Sequence, residues 1–195
     1  MIEEAAPAAL NAMDASDRFP SEADLVAACR AGRREAFDEL VRRHYERIHR
    51  LAWAMAGPEG ASDLAQETFL AAVRAFPSFR GDALVGTWLV SILRNQYTMW
   101  RRGRKRWAHA PLEGQDERLP APPPSTLEKG VRGILERVKD LPEDLRMTML
   151  LFYVDGLKYS EIAEAMECPV GTVRSRLFEA RERLKTLMER SDDVR

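Results

Sequence analysis

The residues from Tyr159 to Leu177 carry the densest chemical signal in the chain. A short amphipathic segment leads into a tight turn at Cys168-Pro169, and a longer segment flanked by arginines follows. This is the layout of a helix-turn-helix, whose second helix enters the DNA major groove. Val170, Val173, Leu177, Ala180, Leu184 and Leu187 recur at 3, 4, 3, 4 and 3 residues, one apolar stripe on a helix of 3.6 residues per turn. The opposite face carries Gly171, Ser175, Phe178, Glu179 and Glu182, with Arg174 and Arg181 on one flank and Arg176 and Arg183 on the other. Guanidinium groups bind guanine edges or phosphates, and an aromatic ring packs on a thymine methyl group. The competing interpretation is an ordinary surface helix, laced by pairs such as Glu179 with Arg183. It leaves an aromatic residue on the polar face unexplained.

The elements that would position this reader are helical. No segment alternates with period two for long enough to make a strand, so the expected class is all-α, two small helical domains joined by a linker. Residues 1–20 are rich in alanine and acid and are expected to be a disordered acidic tail. A first domain is expected over 21–106, with helices opening at Ser21, over Arg34–Ala56, over Ser62–Phe76 and over Ala83–Arg102. Their inward residues include Leu64, Phe69, Leu70, Val73 and Phe76 on the third and Leu84, Trp88, Leu89, Ile92 and Leu93 on the fourth. Residues 107–126, with Pro111, Pro120, Pro122, Pro123 and Pro124, read as a linker that spans roughly 65 Å when extended. A second domain over 127–190 has expected helices over 127–139, 143–154, 160–166 and 169–189, the last two forming the helix-turn-helix.

Composition bounds the function. The net charge of -1 conceals a strong asymmetry. Residues 1–24 hold six acids against Arg18 alone, whereas residues 94–106 hold Arg94, Arg101, Arg102, Arg104, Lys105 and Arg106 with no acid. Local basic patches, not the overall charge, decide nucleic-acid binding. Two cysteines, Cys29 and Cys168, build neither a disulfide framework nor a four-ligand zinc site. His44, His49 and His109 lack metal-ligand spacing, and there is no phosphate-binding loop, so an enzyme is the least favoured class and no cofactor is expected. No apolar run reaches membrane-spanning length and no signal pattern opens the chain; a cytoplasmic protein is expected.

Two helical domains, a basic helix in the first, a proline-rich tether and a helix-turn-helix in the second occur in that order, and the chain resembles the extracytoplasmic-function (ECF) sigma factors of bacterial RNA polymerase. Three stretches carry the resemblance: Asp63-Leu64-Ala65-Gln66-Glu67-Thr68-Phe69, then Phe79-Arg80-Gly81-Asp82 with Thr87-Trp88-Leu89, then Cys168-Pro169-Val170-Gly171-Thr172-Val173-Arg174-Ser175-Arg176. It covers about residues 22–190.

The resemblance implies roles for each stretch. Asp63, Gln66 and Glu67 share one helix face, which spacing alone leaves as a solvated charged surface. In the family this face docks on the clamp helices of core RNA polymerase. Phe79 and Arg80 fall in the loop that holds a flipped base of the promoter -10 element, with packing at a loop end as the alternative for Phe79. Asn95, Gln96, Trp100 and Arg101 fall on the later turns of the basic helix, and Arg102, Arg104 and Lys105 on its phosphate-binding end. Thr172, Arg174, Ser175, Arg176, Phe178, Glu179 and Arg181 would read the -35 element, Glu179 either accepting from cytosine or orienting an arginine. Implied partners are core polymerase, promoter DNA and an anti-sigma factor. The chain departs from the family pattern at Lys158, where a capping serine or threonine is usual, and at Gly86, where a side chain is usual. The alternative function is a stand-alone helix-turn-helix regulator with an N-terminal sensor or dimerisation domain.

Overall fold

The computed structural model describes residues 18–107 and 137–192. Residues 1–17 of the expected tail, most of the linker, the first ten residues of the expected 127–139 helix and His109 lie outside them; Phe19, expected in the disordered tail, is instead 2% exposed in the core. Among the described residues the regular structure is helical and includes no strand.

Helix α1, Glu22–Arg30, starts as its sequence dictates: the Ser21 side chain accepts from the Asp24 amide at 3.1 Å. Helix α2, Arg34–Ala56, ends at Gly57, whose φ of 79° and ψ of -179° suit glycine. The same Gly57 starts α3, Pro58–Ala75, with Pro58 in the first turn. Helix α3 therefore begins four residues earlier than the expected Ser62, because a proline that ends one helix is equally well placed to open the next. A 3-10 turn, Phe76–Ser78, then leads to the loop before α4, Val85–Trp107. Helix α4 runs to Trp107, beyond the expected Arg102.

These helices close on one core. Helix α3 turns Ala61, Leu64, Ala65, Thr68 and Ala72 inward, a mostly small-residue face. Leu70 and Val73, expected inward, are 49% and 40% exposed, and Leu84, expected in the α4 stripe, is 60% exposed. The small residues already fill the seam against α2, so the larger apolar side chains fall outside it.

The second unit comprises α5, Glu143–Tyr153, α6, Tyr159–Ala165, and α7, Val170–Asp192. Val173, Leu177, Ala180 and Leu184 of α7 are buried against α5 and α6, while Val170 is 41% exposed. The α6–α7 turn is tight: Glu167 adopts a φ of 51°, and the Cys168 amide donates to the Ala163 carbonyl at 2.9 Å. At Lys158 the hydroxyl cap is replaced from the other side, since Glu161 accepts from the Lys158 amide at 2.7 Å. Ser160 lies inside the helix rather than at its cap.

Candidate polymerase and DNA interfaces

The outer face of α3 is a mixed strip. Asp63, Gln66 and Glu67 are all exposed. Leu70 and Val73 continue the same face at the helical interval and are also exposed. Tyr45 of α2, 42% exposed, borders it and stacks on Phe69 with ring centroids 6.3 Å apart. A carboxylate pair with an adjoining apolar step is a surface suited to a protein partner bearing cations beside apolar groups.

The loop before α4 is held from two sides. Arg30 donates through Nε and Nη2 to the Phe79 carbonyl at 3.1 and 2.5 Å. Glu22 of α1 accepts from the Val85 amide at 3.0 Å, giving a partner to an otherwise unpaired N–H in the buried first turn of α4. Phe79 itself is 6% exposed and packs between Phe76 and Trp88, with centroids 5.5 and 4.7 Å away. Its ring is core in this arrangement, as the packing alternative for it expects. Arg80, Asp82 and Leu84 are the exposed side chains of the loop.

Along α4, Asn95 and Arg102 are exposed and Gln96 is half-buried. Trp100 is also half-buried. Its ring lies against Gly60 of α3, where a Cβ would come within 2.6 Å of the indole. Gly60 is thus a packing glycine, and the Trp100 indole is partly committed to the core. Arg104 and Lys105 fall on the last turns of the same helix.

On α7, Arg174, Ser175, Phe178, Glu179 and Arg181 are exposed and Thr172 and Arg176 half-buried. Phe178 is 66% exposed, far more than packing explains. Two of the arginines have intramolecular partners: Arg176 donates to Asp144 of α5 at 2.6 Å, and Arg181 to the Tyr153 hydroxyl at 2.8 Å. Glu179 pairs with Arg183 at 2.7 Å. This is the i,i+4 surface pair expected of the helix, and it leaves both roles open to Glu179.

The two helical units touch, which no feature of the sequence pattern announces. Arg47 of α2 donates through Nε and Nη2 to both carboxylate oxygens of Asp155, at 2.8 and 2.6 Å. The Asp155 side chain is 1% exposed, and this hydrogen bond raises the Arg47 guanidinium above its ordinary pKa. Arg146, 7% exposed, donates to the Tyr97 hydroxyl at 2.6 Å and sits 5.5 Å over its ring. Burial raises the Tyr97 phenol, keeping it neutral. Arg101 pairs with Glu143 at 2.7 Å, and Arg94 donates to the Ala165 carbonyl of α6 at 3.3 Å.

Comparisons with known proteins bear on both units. The family model described as Sigma-70 region 2 matches residues 40–107, and that described as Sigma-70, region 4 matches residues 132–184. The chain is 37% identical over 170 residues to the ECF RNA polymerase sigma-E factor of Escherichia coli K12, covering 81% of this chain and 89% of that one. The chain belongs to the ECF sigma-factor family. The sigma-E factor of Salmonella typhi gives the same identity and coverage. The RNA polymerase sigma-H factor of Pseudomonas aeruginosa is 34% identical over 179 residues, covering 85% of this sigma factor and 92% of its own length.

Solved structures share the fold. CnrH, in complex with the cytosolic domain of CnrY, superposes with a TM-score of 0.63 at 24% identity, covering 85% of this chain and 95% of that one. The sigma factor RpoE of Bartonella quintana, in complex with the anti-sigma factor NepR, gives a TM-score of 0.62 at 24% identity, with 78% and 96% covered. Membership of the ECF family, shown by the 37% identity and the two region models, makes this sigma factor a transcription-initiation factor that directs RNA polymerase core to promoters.

Proposed function

We propose that the work is divided among three surfaces. The α3 face of Asp63, Gln66 and Glu67, extended by Leu70 and Val73, docks on core RNA polymerase. The loop bearing Arg80 and the later turns of α4, from Asn95 to Lys105, hold the opened -10 element. The exposed face of α7, centred on Phe178 with Thr172, Arg174, Ser175, Arg176, Glu179 and Arg181, reads the -35 duplex. The functional division follows the domain plan of 21–106 and 127–190 with 107–126 as tether. Promoter opening is driven by capture of unstacked bases, each worth roughly 1–3 kcal/mol, and not by covalent chemistry.

The observation that supports the docking surface is the run of exposed side chains at 63, 66, 67, 70 and 73 along one face of α3. A merely solvated acidic face has no use for an exposed leucine and valine in register with it. Control by an anti-sigma factor is proposed from the likeness to RpoE of Bartonella quintana, which is solved bound to one. The site of action proposed is the cytoplasm. Among the described residues no helix is long and apolar enough to cross a membrane.

Nuclease footprinting of the reconstituted holoenzyme on selected promoter fragments tests the division. Two protected elements about two helical turns apart, the downstream one reactive to single-strand probes, are expected. A single duplex footprint formed equally well without core would favour the stand-alone regulator.

A further inference from the structure

Simultaneous contact with both promoter elements requires the two units to lie far apart. Elements separated by about two turns of B-DNA are roughly 70 Å distant, yet Arg94 of α4 donates to Ala165 of α6 at 3.3 Å. In this arrangement one polypeptide cannot contact both elements. Arg101, one of the α4 side chains proposed to meet the -10 strand, is paired with Glu143, and Tyr97 one turn before it is bonded by Arg146.

The cover is built rather than incidental. Asp155 is withdrawn from water and both its oxygens are held by one guanidinium. Arg146 is a buried cation whose neighbours across the seam are the Tyr97 hydroxyl and ring. Gly86, the position where the sequence lacks the family's usual side chain, makes room for the first of these contacts. A Cβ there would overlap Nη1 of Arg47, so the guanidinium that holds Asp155 would have to shift.

We infer that the free sigma factor inhibits itself through an interdomain latch in which Arg47, admitted by Gly86, clamps Asp155 and holds the helix-turn-helix unit against the α4 DNA face. The inference rests on the sigma-factor reading for what is inhibited, but the latch is a property of the free chain. Opening is then part of binding core. The apparent affinity for core is lower than the intrinsic one by the fraction of chain that is open.

The test uses the full chain and its Asp155→Arg variant, with the charge-swapped pair Arg47→Asp/Asp155→Arg as the rescue. Small-angle scattering of the free proteins reads opening, and titration with purified core polymerase reads affinity. The latch predicts a larger radius of gyration for Asp155→Arg and about tenfold tighter core binding, with both values returning toward wild type in the swap. Gly86→Ala, which deletes no charge, should shift both readings in the same direction as Asp155→Arg. An unchanged radius in Asp155→Arg and Gly86→Ala overturns the latch, and so does a larger radius with no gain in affinity. Failure of the sigma-factor reading looks different: wild type would not bind core at all, while the radius still responded to the variants.

Discussion

Arg47 and Asp155, 108 positions apart in the chain, form a two-pronged ion pair at 2.8 and 2.6 Å that joins the first helical unit to the second. Partly buried pairs of this kind are costly to break on one side only, because the remaining charge keeps its desolvation penalty. Here the penalty is relieved by separation of the units, since both side chains then return to water.

Polymerase docking is separable from folding. Asp63 and Glu67 are exposed, so Asp63→Arg with Glu67→Arg should leave the unfolding midpoint nearly unchanged, within about 0.5 kcal/mol per site. Core binding, followed by co-elution, should be lost, while duplex binding through α7 persists. Retained co-elution would remove the α3 face from the account.

The loop before α4 divides its residues between fold and DNA. Phe79→Ala should destabilise the protein by about 3–5 kcal/mol, the cost of deleting a buried phenyl ring. Arg80→Ala should leave stability alone and weaken binding to single-stranded -10 oligonucleotides. Equal effects of both changes on stability would mean that Arg80 is structural.

The recognition helix makes a similar distinction. Phe178→Ala should keep the melting temperature and lower affinity for the -35 duplex. Arg176→Ala should lower both, because Arg176 is also bonded to Asp144. If Arg176 reads a base, its loss relaxes selectivity at one or two positions by about 1–3 kcal/mol; if it binds phosphate, affinity falls uniformly across sequences.

Acid stability should depend on Glu39, whose buried carboxylate is held by Arg42 and Arg43 and brought down to about 2, with the Arg42 hydrogen bond the largest cause. A depressed carboxylate contributes stability that is complete above its unfolded value, near 4.5, and is lost as pH falls through the folded value. Denaturant midpoints measured from pH 5 to pH 2 should therefore fall, and Glu39→Gln should flatten that slope. A slope unaltered by the substitution would assign the acid lability to other carboxylates.

Much of the architecture is legible in the amino-acid pattern. The boundaries of α2 at Arg34 and Ala56 follow from apolar periodicity ended by Gly57-Pro58, and Ser21 and Asp24 announce the start of α1. Pattern and structure disagree where residue type and residue direction part. Leu70, Val73, Leu84 and Val170 are apolar but outward, because alanines and a threonine take the inward seam of α3 or because the helix has not yet reached the core. Glu39 is charged but inward, rescued by two arginines one turn on. The exposed strip on α3 is half visible in the sequence: the polar trio Asp63, Gln66 and Glu67 stands out by spacing, and extending its interval by one turn adds Leu70. The latch has no local signal, since neither Arg47 nor Asp155 is unusual in its own neighbourhood. Gly86 is the trace it leaves, a missing side chain whose reason lies in a distant arginine.

The most direct measurement is run-off transcription with purified core polymerase on a promoter library. The account predicts transcripts that depend on this protein, from templates sharing two short elements at a fixed spacing. No protein-dependent transcript, from core that is active with another sigma factor, would contradict it.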